Sequence, residues 1–277
     1  MRRLGSTCLA AVTFSAAWLQ VGGDAAAAPF KDKQLEAAVR EVLREPKAEL
    51  NDDKLKNVYV LEADGKKIND LTGLEKCKNL AQLKLAKNEI VDLKPLKDLV
   101  NLQSLDLANN KISEVAPLGG LTKLQYLQLE NNQIAKVDSL KTLKSLSSLY
   151  LSGNKISDVK PLAALTRLSS LYLGRNAIKD ISLLNQVTHI MTLDLRENQI
   201  ADLTPLTKQT DLNLLLLDKN KITDLTPLVN WAKADSEGPR RVAPFLRLYL
   251  AGNPLSDAAK TKQIEALKKY GVRIESL

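Results

Sequence analysis

An asparagine recurs every 22 residues along most of this chain, and an isoleucine follows each one two residues later. The asparagines are Asn88, Asn110, Asn132, Asn154, Asn176, Asn198 and Asn220. The segment LSGNKISDVKPL, from Leu151 to Leu162, is one copy of the unit, and similar copies end at Leu118, Leu206 and Leu228. An uninterrupted period in this range is typical of proteins in which each unit stacks on the next. The spacing therefore favours an elongated solenoid over a single globular core.

The unit carries the pattern L-x-x-L-x-L-x-x-N, which identifies a leucine-rich repeat. Its 22-residue form, with I-x-D-L-x-P-L at its end, resembles the internalin-like repeats of bacterial surface proteins. It also resembles the regulatory subunit of nuclear type-1 phosphatase, which has the same repeat length. The resemblance covers Val58 to Leu255. It implies an α/β repeat solenoid, a right-handed superhelix with a curved parallel sheet on its concave face.

Each residue type in the unit has a physical role. Leu146, Leu149 and Leu151 should point inward around a short parallel strand and stack on the next coil, because one coil cannot bury its own apolar face. Asn154 turns the chain out of the strand, and its buried amide can pair with backbone groups that the bend leaves unsatisfied. Pro161 rigidifies the return segment on the convex side, where no sheet hydrogen bond is needed. The repeated asparagines are therefore expected to form a ladder.

Residues 1–27 have the pattern of a signal peptide. Arg2 and Arg3 precede a largely apolar stretch, and small residues follow it before Pro29. Such a leader directs export, and we place the cleavage after Ala27. An uncleaved membrane anchor is the alternative, because the apolar stretch is about long enough to span a bilayer.

The rest of the chain divides into four predicted segments. These are a helical N-terminal cap (28–57), eight 22-residue repeats (58–233), an insertion loop (234–244), and a last partial repeat with a C-terminal capping helix (245–277). Caps are expected because an open solenoid exposes a strand edge and an apolar cross-section at each end. Asp32 is the expected N-cap of the first helix. The insertion is polar and contains Gly238 and Pro239, which favours a surface loop.

Side chains between the inward leucines should face solvent on the concave side. Aromatic and apolar residues gather at these positions, and with one acid they form the predicted partner-binding set: Tyr126, Tyr150, Tyr172, Asp194, Leu214, Leu216 and Tyr249. Tyrosine is enriched among binding hot spots, and a contiguous apolar group on a concave face indicates a partner. The alternative interpretation is that these residues only satisfy strand propensity.

The formal net charge of the chain is +8, but the predicted concave face does not carry the excess. Its outward columns hold six acids (Glu62, Asp64, Asp106, Glu130, Asp194, Asp218) against three bases (Lys84, Arg196, Arg247). The turns after the strands instead supply a basic rim: Lys67, Lys87, Lys111, Lys155, Arg175, Lys219 and Lys221, against Glu89 and Glu197. Nucleic-acid binding would need bases among the aromatic residues of the face, so we expect no nucleic-acid partner. An anionic glycan or lipid surface touching the rim is an alternative partner.

Catalysis has no support in the sequence. The single histidine, His189, falls at a coil boundary, and Cys77 falls at an apolar core position. No cysteine–histidine cluster or glycine-rich phosphate loop occurs. We therefore expect no catalytic, cofactor-binding or metal-binding residues.

The sequence thus predicts an exported, non-enzymatic, monomeric binding module with a macromolecular partner, which we expect to be a protein. Two alternatives stay open. An envelope scaffold would use the convex or lateral surface instead of the concave one. A phosphatase-type regulatory subunit would require that the leader is misread.

Overall fold

The structure, a computed structural model, describes residues 29–277. The predicted signal peptide and its cleavage position lie outside the described residues. Within residues 29–277, no helix is both long enough and apolar enough to cross a membrane.

Short strands, one per coil, form a single parallel sheet in chain order. They are β1 (Val60–Glu62), β2 (Gln82–Lys84), β3 (Ser104–Asp106), β4 (Tyr126–Gln128), β5 (Ser148–Tyr150), β6 (Ser170–Tyr172), β7 (Thr192–Asp194), β8 (Leu214–Leu216), β9 (Arg247–Tyr249) and β10 (Arg273–Ser276). From β1 to β8 every residue pairs with the one 22 positions later, as Leu149 does with Leu171. The predicted leucine-rich repeat solenoid with a parallel sheet is confirmed.

The return segments on the opposite side of the coils are short 3₁₀ helices. They span Leu74–Lys76, Lys94–Leu96, Ala116–Gly120, Asp138–Thr142, Lys160–Ala164, Ser182–Asn185 and Thr204–Lys208. An aspartate that recurs before most of them accepts a hydrogen bond from the backbone N–H two residues on, as Asp158 Oδ1 does from Lys160 at 2.9 Å. These aspartates therefore fix the start of the return segments.

The core is almost entirely aliphatic, and the leucines on both sides of each coil are buried. The predicted asparagine ladder is confirmed. Asn132 Nδ2 donates to Leu129 O in its own coil and to Leu107 O in the preceding coil, while its Oδ1 accepts from Ile112 N. Equivalent bonds recur from Asn88 to Asn220, so each asparagine of the ladder joins its own coil to the preceding one.

Helices cover both ends of the solenoid. At the N-terminal end lie α1 (Lys33–Leu43) and α2 (Asp52–Leu55), and Asp32 Oδ1 accepts from Gln34 N at 2.8 Å as the predicted N-cap. At the C-terminal end, a π-helical turn (Ala259–Gln263) leads into α4 (Ile264–Lys269), whose Ile264 and Leu267 are buried. Strand β10 then pairs with β9 and extends the sheet.

The segment 234–244, predicted to be a loop, begins as the last turn of a helix, so that prediction needs correction. Helix α3 (Thr226–Glu237) replaces the 3₁₀ turn of its coil, with Leu228 and Ala232 buried one turn apart. Asp235 is also buried, and its carboxylate accepts from the backbone N–H groups of Arg241, Val242 and Ala243. These bonds fold the rest of the insertion back onto the helix.

Candidate binding face

Three tyrosines lie side by side on the outward face of the sheet, as the 22-residue spacing predicts. Tyr150 pairs with Tyr172 in adjacent strands, and their rings stack with centroids 4.6 Å apart and an interplanar angle of 15°. Tyr126 enters from the neighbouring strand, with its ring 5.3 Å from that of Tyr150 at an angle of 46°. Offset aromatic contacts at such distances are favourable beyond the area they bury. The rings therefore form one continuous aromatic surface across β4, β5 and β6.

The hydroxyls of Tyr126 and Tyr172 are un-ionised at neutral pH. Burial raises the pKa of Tyr126 to about 12, and the nearby hydroxyl of Tyr150 and carboxylate of Asp106 add to the effect. Burial likewise raises the pKa of Tyr172. Un-ionised phenols can each donate a hydrogen bond to a partner or accept one from it.

A depression of about 520 Å³ opens beside the stacked rings, and we call it the tyrosine pocket. Tyr150 and Tyr172 form one side of it. The parallel column two residues later in each coil forms the other side: Glu130, Ser152, Gly174 and Arg196. Ser152 and Gly174 have little or no side chain, so two successive coils leave space between the acid and the base at the ends of the column. From the sequence, only the charged members of this column were noted, and the pocket was not predicted.

Asp194 does not contribute a free carboxylate to the face, although it belongs to the predicted set. It is only 3% exposed, and Arg196 holds it through Nε–Oδ1 and Nη2–Oδ2 bonds of 3.0 and 2.9 Å. A Cβ atom at Gly174 would lie 3.0 Å from Asp194 Oδ1. The carboxylate is therefore covered by Arg196 and the backbone of Gly174, and it forms one end of the pocket.

The remaining predicted residues form a second patch beyond Asp194. Leu214 and Leu216 in β8 are half-buried, and Leu216 pairs with Tyr249 in β9. Tyr249 is engaged by Arg247, whose Nη2 donates to the phenol oxygen at 2.9 Å and whose Nε contacts Glu275 at 3.0 Å. The structure thus divides the predicted set into a tyrosine group and a leucine group, separated by the Asp194–Arg196 pair.

Each base on the concave face is paired with an acid. Lys84 Nζ lies 2.7 Å from Glu62 Oε1, and the two arginines make the pairs described above. With six acids against three bases in the outward columns, the unbalanced charge on this face is negative. The sign is opposite to that of the whole chain.

The basic residues predicted for the rim lie in the turns after the strands, at the edge of the sheet. Most of these turns contain a residue with a strained backbone. The residue before each ladder asparagine has positive φ, and four charged side chains occupy this position: Lys87, Arg175, Glu197 and Lys219. Some of the rim charge is neutralised, since Lys111 contacts Glu89 at 2.8 Å.

The two residues considered as catalytic candidates, His189 and Cys77, do not line the tyrosine pocket. His189 Nδ1 lies 2.6 Å from Asp211 Oδ2 in the next coil, and its ring is mostly exposed. Cys77 is fully buried, and burial raises the pKa of its thiol to about 12. Over residues 29–277, no three His, Cys, Asp or Glu side chains are grouped in a way that could hold a metal ion.

Comparison with known proteins supports the repeat assignment. A family model for leucine rich repeats (2 copies) matches residues 100–142 and 144–186. The solved structure of an internalin C2 from Listeria monocytogenes is 32% identical, with a TM-score of 0.70, covering 73% of this chain and 91% of that chain.

Two further solved structures are similar. An internalin (inlF) from Listeria monocytogenes is 31% identical, with a TM-score of 0.68, covering 90% of this chain and 75% of that one. A leucine-rich repeat protein of Leptospira interrogans shares the fold at 22% identity, with a TM-score of 0.68, covering 81% of this chain and 62% of that one. Comparison with curated proteins found no match.

Proposed function

We propose that this chain, which belongs to the internalin-like leucine-rich repeat proteins of bacteria, is an exported, non-enzymatic module that binds a protein through its concave face. The fold is commonly a protein-binding one, since stacked coils create an extended concave surface. Export is inferred from the predicted leader and from the resemblance to bacterial surface proteins.

The observation that carries the proposal is the ring ladder of Tyr126, Tyr150 and Tyr172. All three rings are only partly buried and share one side of the sheet. Strand propensity alone would explain scattered tyrosines, but it does not explain rings stacked beside an open depression. Preordered aromatic side chains lose little conformational entropy on binding, so they are effective anchors for a partner.

The charge distribution supports a protein partner over an anionic surface. The aromatic ladder lies on the face with excess acid, and the basic residues lie on the edge. An anionic glycan or a lipid headgroup would therefore contact the edge without using the tyrosines. A protein with basic and apolar groups matches the face itself.

Photo-crosslinking in the full chain tests the concave assignment. One sample carries p-benzoylphenylalanine in place of Ser170, which lies beside the tyrosines on β6, and another carries it in place of Lys141 on the convex side. Each is irradiated with envelope and culture-medium extracts of the source cells. We expect discrete protein adducts from position 170 only.

The control is the same crosslinker at position 170 combined with Tyr126→Ala, Tyr150→Ala and Tyr172→Ala, with the fold checked by circular dichroism. The triple change should abolish the adducts. Adducts that survive it, adducts from position 141 alone, or no protein adduct at all would contradict the proposal. Adducts from position 141 alone would favour an envelope scaffold.

A further inference from the structure

Glu130 differs from the other outward acids of the concave face because, within residues 29–277, no base pairs with it and no backbone N–H donates to it. Glu62 and Asp194 are paired with bases. Asp64, Asp106 and Asp218 accept hydrogen bonds from the backbone N–H groups of Ala86, Ala108 and Ala251. Among the residues that the structure describes, the side chain of Glu130 accepts one hydrogen bond, from Gln128 Nε2 at 3.1 Å, and has no basic group within 4.0 Å. This carboxylate retains most of its capacity to accept hydrogen bonds.

Other acceptors near Glu130 are also unsatisfied. Ser152 is 4% exposed and lines the tyrosine pocket, yet its Oγ has no hydrogen-bond partner within the described part of the chain. The same holds for Gln128 Oε1, since only the amide nitrogen of Gln128 is engaged. Buried polar groups of native proteins are normally paired. Glu130 and Gln128 Oε1 can only accept hydrogen bonds, and the hydroxyls of Ser152 and Tyr150 can satisfy only part of that capacity, so this end of the pocket has more acceptors than donors.

Two of the three acids that line the pocket already have a basic partner. Arg196 Nε and Nη2 donate to Asp194, and Lys219 Nζ lies 3.4 Å from Glu197 Oε1. Arg175 reaches back two coils, where its Nη2 donates to Asn131 Oδ1 at 3.0 Å, but within the described part of the chain it makes no ion pair with Glu130. Glu130 is therefore the lining acid that still lacks a basic partner within 4.0 Å among residues 29–277. A ligand that supplies donors and positive charge is complementary to this arrangement.

The aromatic side of the pocket favours the same ligand. Tyr150 lies between the rings of Tyr126 and Tyr172, so the face that stays open is the outer face of Tyr172, and its negative pole attracts ammonium and guanidinium groups. Lysine and arginine side chains have only donors at their charged ends, and their aliphatic stems can pack along the rings. A neutral sugar can donate hydroxyl hydrogen bonds to Glu130 but brings no positive charge to balance the carboxylate.

We propose that the tyrosine pocket binds a lysine or arginine side chain of the partner protein, with Glu130 as its counter-charge and the rings of Tyr150 and Tyr172 against its stem and cationic head. The partner thus presents a basic residue at its contact site. This inference rests on the proposed function for the identity of the ligand as part of a protein, but binding of the cation can be measured without the partner.

The test is an NMR titration of the isotope-labelled full chain with N-acetyl-arginine amide, N-acetyl-lysine amide and N-acetyl-citrulline amide. Citrulline is a neutral analogue of arginine with nearly the same shape, and methyl glucoside serves as the sugar probe. We expect the two cationic probes to shift resonances of Glu130, Ser152 and Tyr150, with millimolar affinity that weakens as salt increases. Citrulline and glucoside should leave these resonances unchanged.

Three variants test which residues contribute to binding of the arginine probe. Glu130→Gln is isosteric and removes one charge, and it should weaken the arginine probe by about 5- to 30-fold. Tyr150→Leu should weaken it by a similar factor, since it removes a ring but leaves the charge. Glu114→Gln removes an exposed acid outside the face and should leave the affinity within about twofold.

Equal binding of citrulline and arginine, binding of glucoside alone, or full affinity in Glu130→Gln would overturn the inference. A dispersed spectrum of each variant shows that it is folded. If position 170 crosslinks a partner but the cationic probes do not bind, the inference fails and the proposed function stands. If the probes bind at Glu130 but no concave adduct forms, the proposed function fails and the pocket assignment stands.

Discussion

The ladder asparagine Asn132 should account for a large share of the stability of the solenoid. Its side chain is 8% exposed and makes bonds of 3.0 and 3.1 Å to Leu107 O and Leu129 O, and one of 3.0 Å from Ile112 N. Asn132→Ala removes these bonds. Ile112 N is left without a partner, which costs about 1–3 kcal/mol, whereas Leu107 O and Leu129 O keep the bonds from Asn110 Nδ2 and Asn154 Nδ2 at 3.0 Å each. Adding about 0.5–1 kcal/mol for each lost carbonyl bond, we expect a total loss of about 2–4 kcal/mol.

The measurement is urea unfolding of the full chain at 25 °C, followed by far-ultraviolet circular dichroism. Gln133→Ala changes the exposed neighbour of Asn132 and should alter the free energy of unfolding by no more than about 0.5 kcal/mol. Asn132→Asp is a second comparison, because it keeps the acceptor for Ile112 N but places a carboxylate oxygen against two carbonyl oxygens. We expect that variant to be as unstable as the alanine variant at pH 7 and to recover partly in acid, where a protonated carboxyl can donate one bond.

A loss below about 1 kcal/mol for Asn132→Ala would refute the reasoning. It would mean that water or a local shift of the backbone satisfies Ile112 N at little cost. The ladder would then be a consequence of the stacked coils instead of a cause of their stability.

Three further predictions concern the convex side and the core. Gln209→Leu places an apolar residue at a buried position but should lower stability by about 1–2 kcal/mol, because Gln209 Nε2 donates to Leu184 O and Val187 O at 2.9 Å each and loss of its unpaired Oε1 offsets only part of that cost; a urea midpoint at or above that of the wild type would contradict this. In a Cys8→Ser background, Cys77 should react with a thiol reagent at pH 8 only after urea is added, since its pKa is raised to about 12; labelling of the native protein would contradict its burial. The urea midpoint should hold above about pH 5 and fall below about pH 4, because carboxylates whose folded pKa is lowered lose their stabilising contribution as they are protonated; a midpoint unchanged at pH 3 would oppose this. The carboxyl groups with a lowered pKa are Asp70, Glu89, Asp180, Asp211 and Asp224, and Asp106, whose pKa burial raises, acts in the opposite direction.

The 22-residue period made the placement of the tyrosines predictable. In a parallel sheet of stacked coils, the register follows from the repeat length, so Tyr150 and Tyr172 had to be neighbours. The same argument placed the asparagine ladder and the turn aspartates. The interactions involved are repeated in every coil, and a repeated pattern is what a single sequence shows most clearly.

Interactions that occur only once were not predictable in this way. Asp194 occupies an outward position like that of Tyr172, but its carboxylate is buried. Arg196 donates two hydrogen bonds to it, and Gly174 has no side chain to displace it. Helix α3 begins with the same T-P-L as an earlier 3₁₀ turn, and it continues because the insertion supplies backbone donors for Asp235. Both outcomes depend on contacts of a single side chain that do not recur from coil to coil.

The solenoid separates the residues that stabilise it from those that face a partner, and this separation has a consequence for recognition. Inward leucines and ladder asparagines hold the coils in register, while each outward column contributes one side chain per coil. A change at Ser152 or Glu130 can therefore alter the tyrosine pocket without replacing any core leucine or ladder asparagine. The strained edge is where the two roles meet, since Arg175 lines the pocket and also adopts a φ of 54° that favours glycine or asparagine. Its side chain donates to Asn131, which adopts the same strained conformation two coils earlier. The turn therefore holds the guanidinium of Arg175 against a residue two coils away, whereas Gly153 occupies the equivalent position one coil earlier without a side chain.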